Sequence, residues 1–343
     1  MEQEFDFIAI GDTVTDAFIR IAQASVMSIE NGDGQIDEEL CLMNGAKIPY
    51  EFVKVLAGVG NAANAAVASA RLGLKTAYVA DVGGDENGKE IIATLAKNDV
   101  DTRFIRVNQD KLSNYHYVLW HKAERTILIK HEEYDYHLPE IGNPKWLYFS
   151  SVGENSLPYH KEVVTYLKAH PRVKLAFQPG TFQIKLGKEA LKELYQLAEI
   201  FFCNVEEAEQ ILGAEGGAAR RAEDHAKLAK MMSALGPKIS VITDGPKGAY
   251  AYDSYTGKTY FMPPYPDPKP PYERTGAGDA CASTTTVALA LGKPLDEALM
   301  WGPISSMSVV QYIGAQEGLL TQDAIQKYLA EKPMDYLPKE IPA

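Results

Sequence analysis

Two hydrophobic rhythms alternate along most of the chain. FDFIAIGD (5–12) is a short apolar run ending in a turn, the pattern of a buried strand. TAYVADVG (76–83), TRFIRV (102–107), WLYFSSVG (146–153), VKLAFQPG (173–180), AEIFFCNV (198–205) and ISVITDGPKG (239–248) repeat it. Helix-forming sequence lies between them, including an Ala-rich run over 60–73 that ends in Gly and NGKEIIATLAKNDV over 87–100. Strand and helix in strict alternation predict an α/β fold, a mainly parallel sheet covered by helices on both faces.

Two regions fall out of this rhythm, about 17–56 and 113–132, and in the second NYHYVLW and RTILIK read as two strands joined at KAER. Extra strands inserted after sheet strands predict a small β-sheet lid over one end of the main sheet. PPYPDPKPPY (263–272) is too rich in proline for a central strand or helix and is read as a connector. The expectation is one catalytic domain over 1–343 with the lid built from the two inserts.

Charge and cysteine content narrow the function class. With 46 acidic against 34 basic residues the net charge is −12, which argues against binding nucleic acid or an anionic membrane surface. Any anionic ligand must be held locally. Cys41, Cys203 and Cys281 are odd in number and lie in apolar segments, so neither a disulfide framework nor a zinc site is expected. No apolar run is long enough to span a bilayer and MEQEFDFIAIGD lacks the basic start of a signal peptide, so a cytoplasmic protein is expected.

Candidate chemistry concentrates in two glycine-rich stretches. In GVGNAANAAVASARLGLKTAYVADVGGD (58–85), Gly58, Gly60 and Ala63 fit G-x-G-x-x-A and Asp81 stands where a ribose-binding acid would, the pattern of a dinucleotide site. Such a fingerprint normally follows the first strand, yet here the first strand is FDFIAIGD and an irregular insertion intervenes. In RTGAGDACASTTTVALALG (274–292), Gly276, Ala277 and Gly278 form a side-chain-poor turn into a helix. Its first amides lack intrahelical partners and favour an anion. Asp279 at that point is either a helix cap or a base that takes a proton from a hydroxyl while the amides hold a transferring phosphoryl group.

The second stretch is similar to the GAGD signature of the ribokinase-like, or PfkB, family of carbohydrate and nucleoside kinases, and the likeness runs from GDTVTDAF to YIGAQEG. The resemblance implies a three-layer α/β/α fold, with Asp279 as catalytic base and Gly276, Ala277 and Gly278 as the anion hole. It implies ATP as donor and Mg²⁺ held through water by Asn204 and Glu207 of FFCNVEEAEQIL, the family's N-x-x-E; the same pair also has capping-box spacing. Thr243, Gly245 and Gly248 of VITDGPKGAY match T-x-G-x-x-G, which approaches the nucleotide. Asp16 matches the aspartate that grips substrate hydroxyls, and Gly60, Asn61 and Asn64 match the G-G-x-x-x-N substrate segment. Arg125 and Thr126 resemble a G-x-R-T hairpin.

Three departures stand out: Val59 replaces a glycine, QPGT (178–181) stands where a stretch leading to a basic residue is usual and leaves Lys185 as a substitute, and Glu273 replaces the aspartate of relatives activated by monovalent cations. The implied function is an ATP-dependent sugar kinase. A nucleoside kinase of the same family is the alternative, and an NAD-dependent oxidoreductase or a non-catalytic ligand-binding module are alternatives of other classes. The lid strands leave an edge at which a homodimer could form.

Overall fold

The computed structural model describes residues 4–30, 36–122, 124–213 and 222–342. Sixteen strands among them run in chain order as β1 (Phe7–Ile10), β2 (Val14–Ile21), β3 (Ser25–Glu30), β4 (Ile36–Cys41), β5 (Tyr50–Val59), β6 (Thr76–Gly83), β7 (Ile105–Asn108) and β8 (Tyr115–His121). Then come β9 (Glu124–Leu128), β10 (Trp146–Phe149), β11 (Lys174–Phe177), β12 (Ala198–Asn204), β13 (Ile239–Thr243), β14 (Ala249–Asp253), β15 (Lys258–Met262) and β16 (Lys339–Ile341). The ten α-helices among these residues are α1 (Asn61–Arg71), α2 (Glu86–Lys97), α3 (Leu157–Ala169), α4 (Thr181–Leu186), α5 (Lys192–Leu197), α6 (Val205–Leu212), α7 (Ala222–Ala234), α8 (Ala277–Ala290), α9 (Leu295–Val309) and α10 (Gln322–Ala330).

Ten strands form the central sheet in the order β16-β15-β14-β13-β12-β11-β10-β1-β6-β7. From β7 to β13 every pair is parallel, and β14, β15 and β16 close the far edge antiparallel. Successive residues of the parallel strands feed opposite cores, as a sheet buried on both faces requires. Phe7, Ala9, Tyr148, Ala176, Ile200 and Phe202 pack with α1, α2, α8, α9 and α10. Ile8, Ile10, Phe149, Phe177, Phe201 and Cys203 pack with α3, α5, α6 and α7. The three-layer expectation is met.

The strands outside the rhythm form a separate four-stranded sheet, β5-β2-β8-β9, and a β3-β4 ribbon. They begin at Val14 and end at Val59, three residues outside the expected 17–56, because only Gly11 to Thr13 separate β1 from β2. Tyr115–His121 and Glu124–Leu128 pair antiparallel as read from the sequence; Ala123 of KAER lies outside the described residues. No helix among the described residues is long and apolar enough to cross a membrane.

The packing that positions everything downstream is that of α1 on α8. Ala62, Ala63, Ala65 and Ala66 on α1, with Ala280, Ala282 and Ser283 on α8, are all buried, and such small side chains let two helices approach closely. Arg71 at the end of α1 then fastens this pair to the chain beyond α9. Its guanidinium donates to the carbonyls of Gln316 (2.6 Å) and Leu319 (3.2 Å) and to Asn98 Oδ1 (2.9 Å). Arg71→Leu leaves three acceptors unsatisfied in a half-buried setting and is expected to cost about 2–4 kcal/mol in urea unfolding. A loss below about 0.5 kcal/mol would show that water replaces the guanidinium without penalty.

Candidate active site

The site lies outside the carboxyl ends of the parallel strands, where open α/β sheets bind ligands. Gly276 is the N-cap of α8 with φ 81°, and a Cβ there would stand 2.2 Å from Ala315 Cβ. Glycine is therefore demanded by both backbone and space. Ala280 N–H is the first to bond back, to Gly276 O at 2.8 Å, so the amides of Gly278 and Asp279 lack intrahelical acceptors. A Cβ on Gly278 would meet nothing within 4 Å.

Asp279 is not a helix cap. Its carboxylate turns away from the helix start, taking Asn64 Nδ2 on Oδ2 (2.8 Å) and Gln178 Nε2 on Oδ1 (3.0 Å). Burial pushes its pKa up from the ordinary aspartate value, while these two bonds and the charge of Arg125 pull it down; burial prevails. Asn64 thus faces the α8 turn directly. Gly60, with φ 115°, caps α1 where a Cβ would sit 2.9 Å from Asp12 O, and Asn61 opens the helix half-buried.

Asp16 lies inside β2, its Oδ1 3.3 Å from His116 Nδ1. Beside it is a residue the sequence reading passed over: Asp12, buried, accepts from Tyr136 (3.0 Å) and contacts His131 Nδ1 (3.1 Å). His116 and His131 lie with ring centroids 5.1 Å apart. Desolvation raises the Asp12 pKa against both partners. Asp16 Oδ1, His116 Nε2 and Arg125 Nε are buried without a hydrogen-bond partner among the described residues, a polar surface that suits a hydroxylated ligand. His116, one residue into β8, carries no local signal of this contact; only the β2-β8 register makes it visible.

On the other side, β12 and β13 run parallel with Asn204 beside Thr243. Asn204 and Glu207 form the capping box that their spacing allowed, at 2.7 and 2.8 Å. Burial, chiefly, and the charge of Asp279 raise the Glu207 pKa, opposed by the Asn204 amide. Among the described residues the box leaves one Glu207 oxygen and a second lone pair on Asn204 Oδ1 uncommitted, acceptors of the kind that Mg²⁺-bound waters need. Among the described residues no cluster of three or more His, Cys, Asp or Glu could chelate a metal directly. Gly245 opens a short 3₁₀ turn, and Gly248 (φ 106°) has no room for a Cβ, which would meet Met262 O at 2.5 Å. Lys247 is exposed against Asp244 (3.3 Å), and Lys185 lies over the Phe182 ring, away from Asp279.

The dinucleotide pattern fails on topology. Gly58 ends a strand of the small sheet, not of the parallel one, and Asp81 is occupied by Arg106 (2.6 Å) and Asn108 (2.9 Å). Glu273 is engaged by Thr275 N–H (2.7 Å), Gly314 N–H (3.4 Å) and Arg125 (3.7 Å).

Residues 49–322 match the pfkB family carbohydrate kinases. The chain belongs to this family. The Bacillus subtilis 5-dehydro-2-deoxygluconokinase is 27% identical over 292 residues, covering 79% of this chain and 86% of that one. Arabidopsis thaliana ribokinase complexed with ribose and ATP superposes with a TM-score of 0.75 at 19% identity, over 95% of this chain and 99% of that one. The Methanocaldococcus jannaschii nucleoside kinase, an archaeal member of the ribokinase family, gives 0.71 at 18% identity, over 96% and 100%. These two structures establish the fold, and the family match makes the chain a phosphotransferase of the carbohydrate kinase type.

Within this pfkB site the two glycines separate cleanly. Gly276→Ala is expected to destabilise by about 1–2 kcal/mol from the left-handed backbone alone, with the Ala315 clash added. Gly278→Ala, in the first helical turn, is expected to be neutral or to stabilise by about 0.5 kcal/mol. Urea unfolding of the two variants checks this; equal stability would contradict it.

Proposed function

We propose that this kinase transfers the γ-phosphoryl group of ATP to a hydroxyl of a small sugar, with Asp279 as general base. One observation carries the reading: a buried carboxylate, held by neutral side-chain amides, sits in the same helical turn as unbonded backbone N–H groups. The carboxylate takes the proton of the acceptor hydroxyl as its oxygen attacks phosphorus, and the bond from phosphorus to the bridging oxygen of ADP breaks in line. The amides of the Gly276–Gly278 turn hold the charge on the phosphoryl oxygens. A base without that hole would leave the transition state uncompensated, and a hole without the base would leave a neutral alcohol.

Thr243, Gly245 and Gly248, on the strand end beside Asn204, form the proposed nucleotide side. Asn204 and Glu207 would hold Mg²⁺ through water; when bound, the ion neutralises phosphate charge. Asp16, Gly60, Asn61 and Asn64, with Asp12, His116 and His131, form the proposed acceptor side. The Asp16, His116 and Arg125 atoms that lack a hydrogen-bond partner among the described residues favour a polyol. They accommodate a sugar or the ribose of a nucleoside, and the B. subtilis relative, named for a sugar-acid acceptor, favours the sugar.

The small sheet is proposed as the lid: Arg125 on Glu273, Glu124 against Arg274 (3.8 Å) and Lys54 on Glu317 (2.6 Å) join it to the segments around the GAGD turn. Its closure would exclude water and limit ATP hydrolysis. Its outer face carries a row across paired strands, Val55, Ala17, Tyr117 and Leu128, with three of the four exposed. A second copy is the proposed cover. The buried thiols of Cys203 and Cys281 suit a reducing cytoplasm.

A panel of pentoses, hexoses, sugar acids and nucleosides with ATP·Mg²⁺ should reveal the acceptor, and Asp279→Asn should lower its turnover about a hundredfold or more while the protein melts normally. Near-normal phosphorylation by folded Asp279→Asn sinks the reading. Sedimentation should show a dimer that Tyr117→Glu dissociates; a monomeric parent chain refutes the dimer.

A further inference from the structure

Both amides that hold Asp279 are themselves held. Gln316 Nε2 donates to the Gly58 carbonyl (2.8 Å) and to Asn64 Oδ1 (3.1 Å). A carbonyl can only accept, so Gly58 fixes which end of the Gln316 amide points inward. Gln316 then fixes Asn64 with its oxygen outward and its Nδ2 on Asp279. On the other side Tyr148 donates its hydroxyl to Gln178 Oε1, leaving Gln178 Nε2 for Asp279. The Gln178 backbone is pinned by Ser150 Oγ on its carbonyl (2.6 Å) and by its own N–H to Phe149 O (3.0 Å).

We propose that Tyr148 and Gln316 are positioning residues for Asp279: two hydrogen-bond relays, Gly58 carbonyl to Gln316 to Asn64 and Tyr148 to Gln178, keep an N–H on each carboxylate oxygen. This rests on the reading of Asp279 as the base. A side-chain amide is nearly symmetric in shape, and turned the other way it would set an oxygen against the carboxylate and favour its protonated, inactive form. The relays remove that choice. They act with no cation among the described residues in hydrogen-bonding reach, which leaves the carboxylate basic as well as ionised. Burial holds the Tyr148 hydroxyl protonated well beyond the ordinary tyrosine range, so it remains a donor. The charged groups that face Asp279 are Arg125 from β9 and Glu207 from α6, with the ionisable Tyr148 from β10; α1 presents Asn64 and the segment just after β11 presents Gln178.

The test needs no acceptor. In protein labelled with carboxyl-¹³C aspartate, the Asp279 resonance is assigned by its loss in Asp279→Asn and titrated in the parent chain, Tyr148→Phe and Gln316→Met. Neither of the latter alters a charge at neutral pH. Each is expected to raise the Asp279 midpoint by about one pH unit, the worth of one hydrogen bond to a charged group. With an acceptor from the panel, the acid limb of the kcat profile should move up equally and kcat should fall, and in Tyr148→Phe, whose relay runs through Gln178, KM should stay within about twofold. Midpoints within about 0.2 unit of the parent in both variants overturn the relays. If Tyr148→Phe does not fold, the half-buried Gln316→Met decides. Retained turnover in Asp279→Asn would remove the base while leaving the titration result standing on its own.

Discussion

The close approach of α1 to α8 is the constraint on which the site depends. Alanine and serine at the contact let the Asn64 amide reach Asp279 at 2.8 Å, joining residues 215 apart in sequence. The same approach buries the carboxylate, and burial disfavours its charge. Two directed amide hydrogen bonds counter that penalty without neutralising the group as a lysine or arginine in contact would. Burial and hydrogen bonding thus oppose each other in a way that suits a base, an ionised group with appreciable proton affinity.

The acidic chain handles a phosphoryl group by geometry. Backbone amides at the start of α8 and Arg125 from the small sheet gather positive potential locally. Arg125 also ties the small sheet to Glu273 two residues before the threonine of the turn, so the position of that sheet and the electrostatics of Asp279 are linked through one side chain. The engagement of Glu273 by Arg125 and two backbone amides satisfies its charge within the protein.

Much of this was legible from sequence. The apolar runs marked the parallel strands from β13 to β6 because strands buried on both faces read as continuous hydrophobic segments, whereas β7 is a half-exposed edge strand. The GAGD turn was visible because its chemistry is contiguous, and Asn204 with Glu207 because a capping box is local. Asp12, His116, His131, Gln178 and Gln316 were not assigned roles, since their partners come from other elements and nothing in their own neighbourhood distinguishes them from ordinary polar residues. Gln178 was noticed only as a missing basic group, yet it is one of the two donors to Asp279. The glycines of 58–64 are ambiguous in sequence because a tight strand-to-helix turn looks alike whether it serves a pyrophosphate or, as here, a backbone crossing next to Asp12.

The central claim is that acceptor and donor meet at Asp279, with the nucleotide at the start of α8 and not at the 58–64 turn. A crystal structure with a non-hydrolysable ATP analogue, Mg²⁺ and the acceptor tests it most directly. The account predicts an acceptor hydroxyl within about 3 Å of Asp279 and the terminal phosphate over the Gly276–Gly278 amides. A nucleotide seated against Gly58 and Gly60, or an acceptor hydroxyl that approaches some other base, would contradict it.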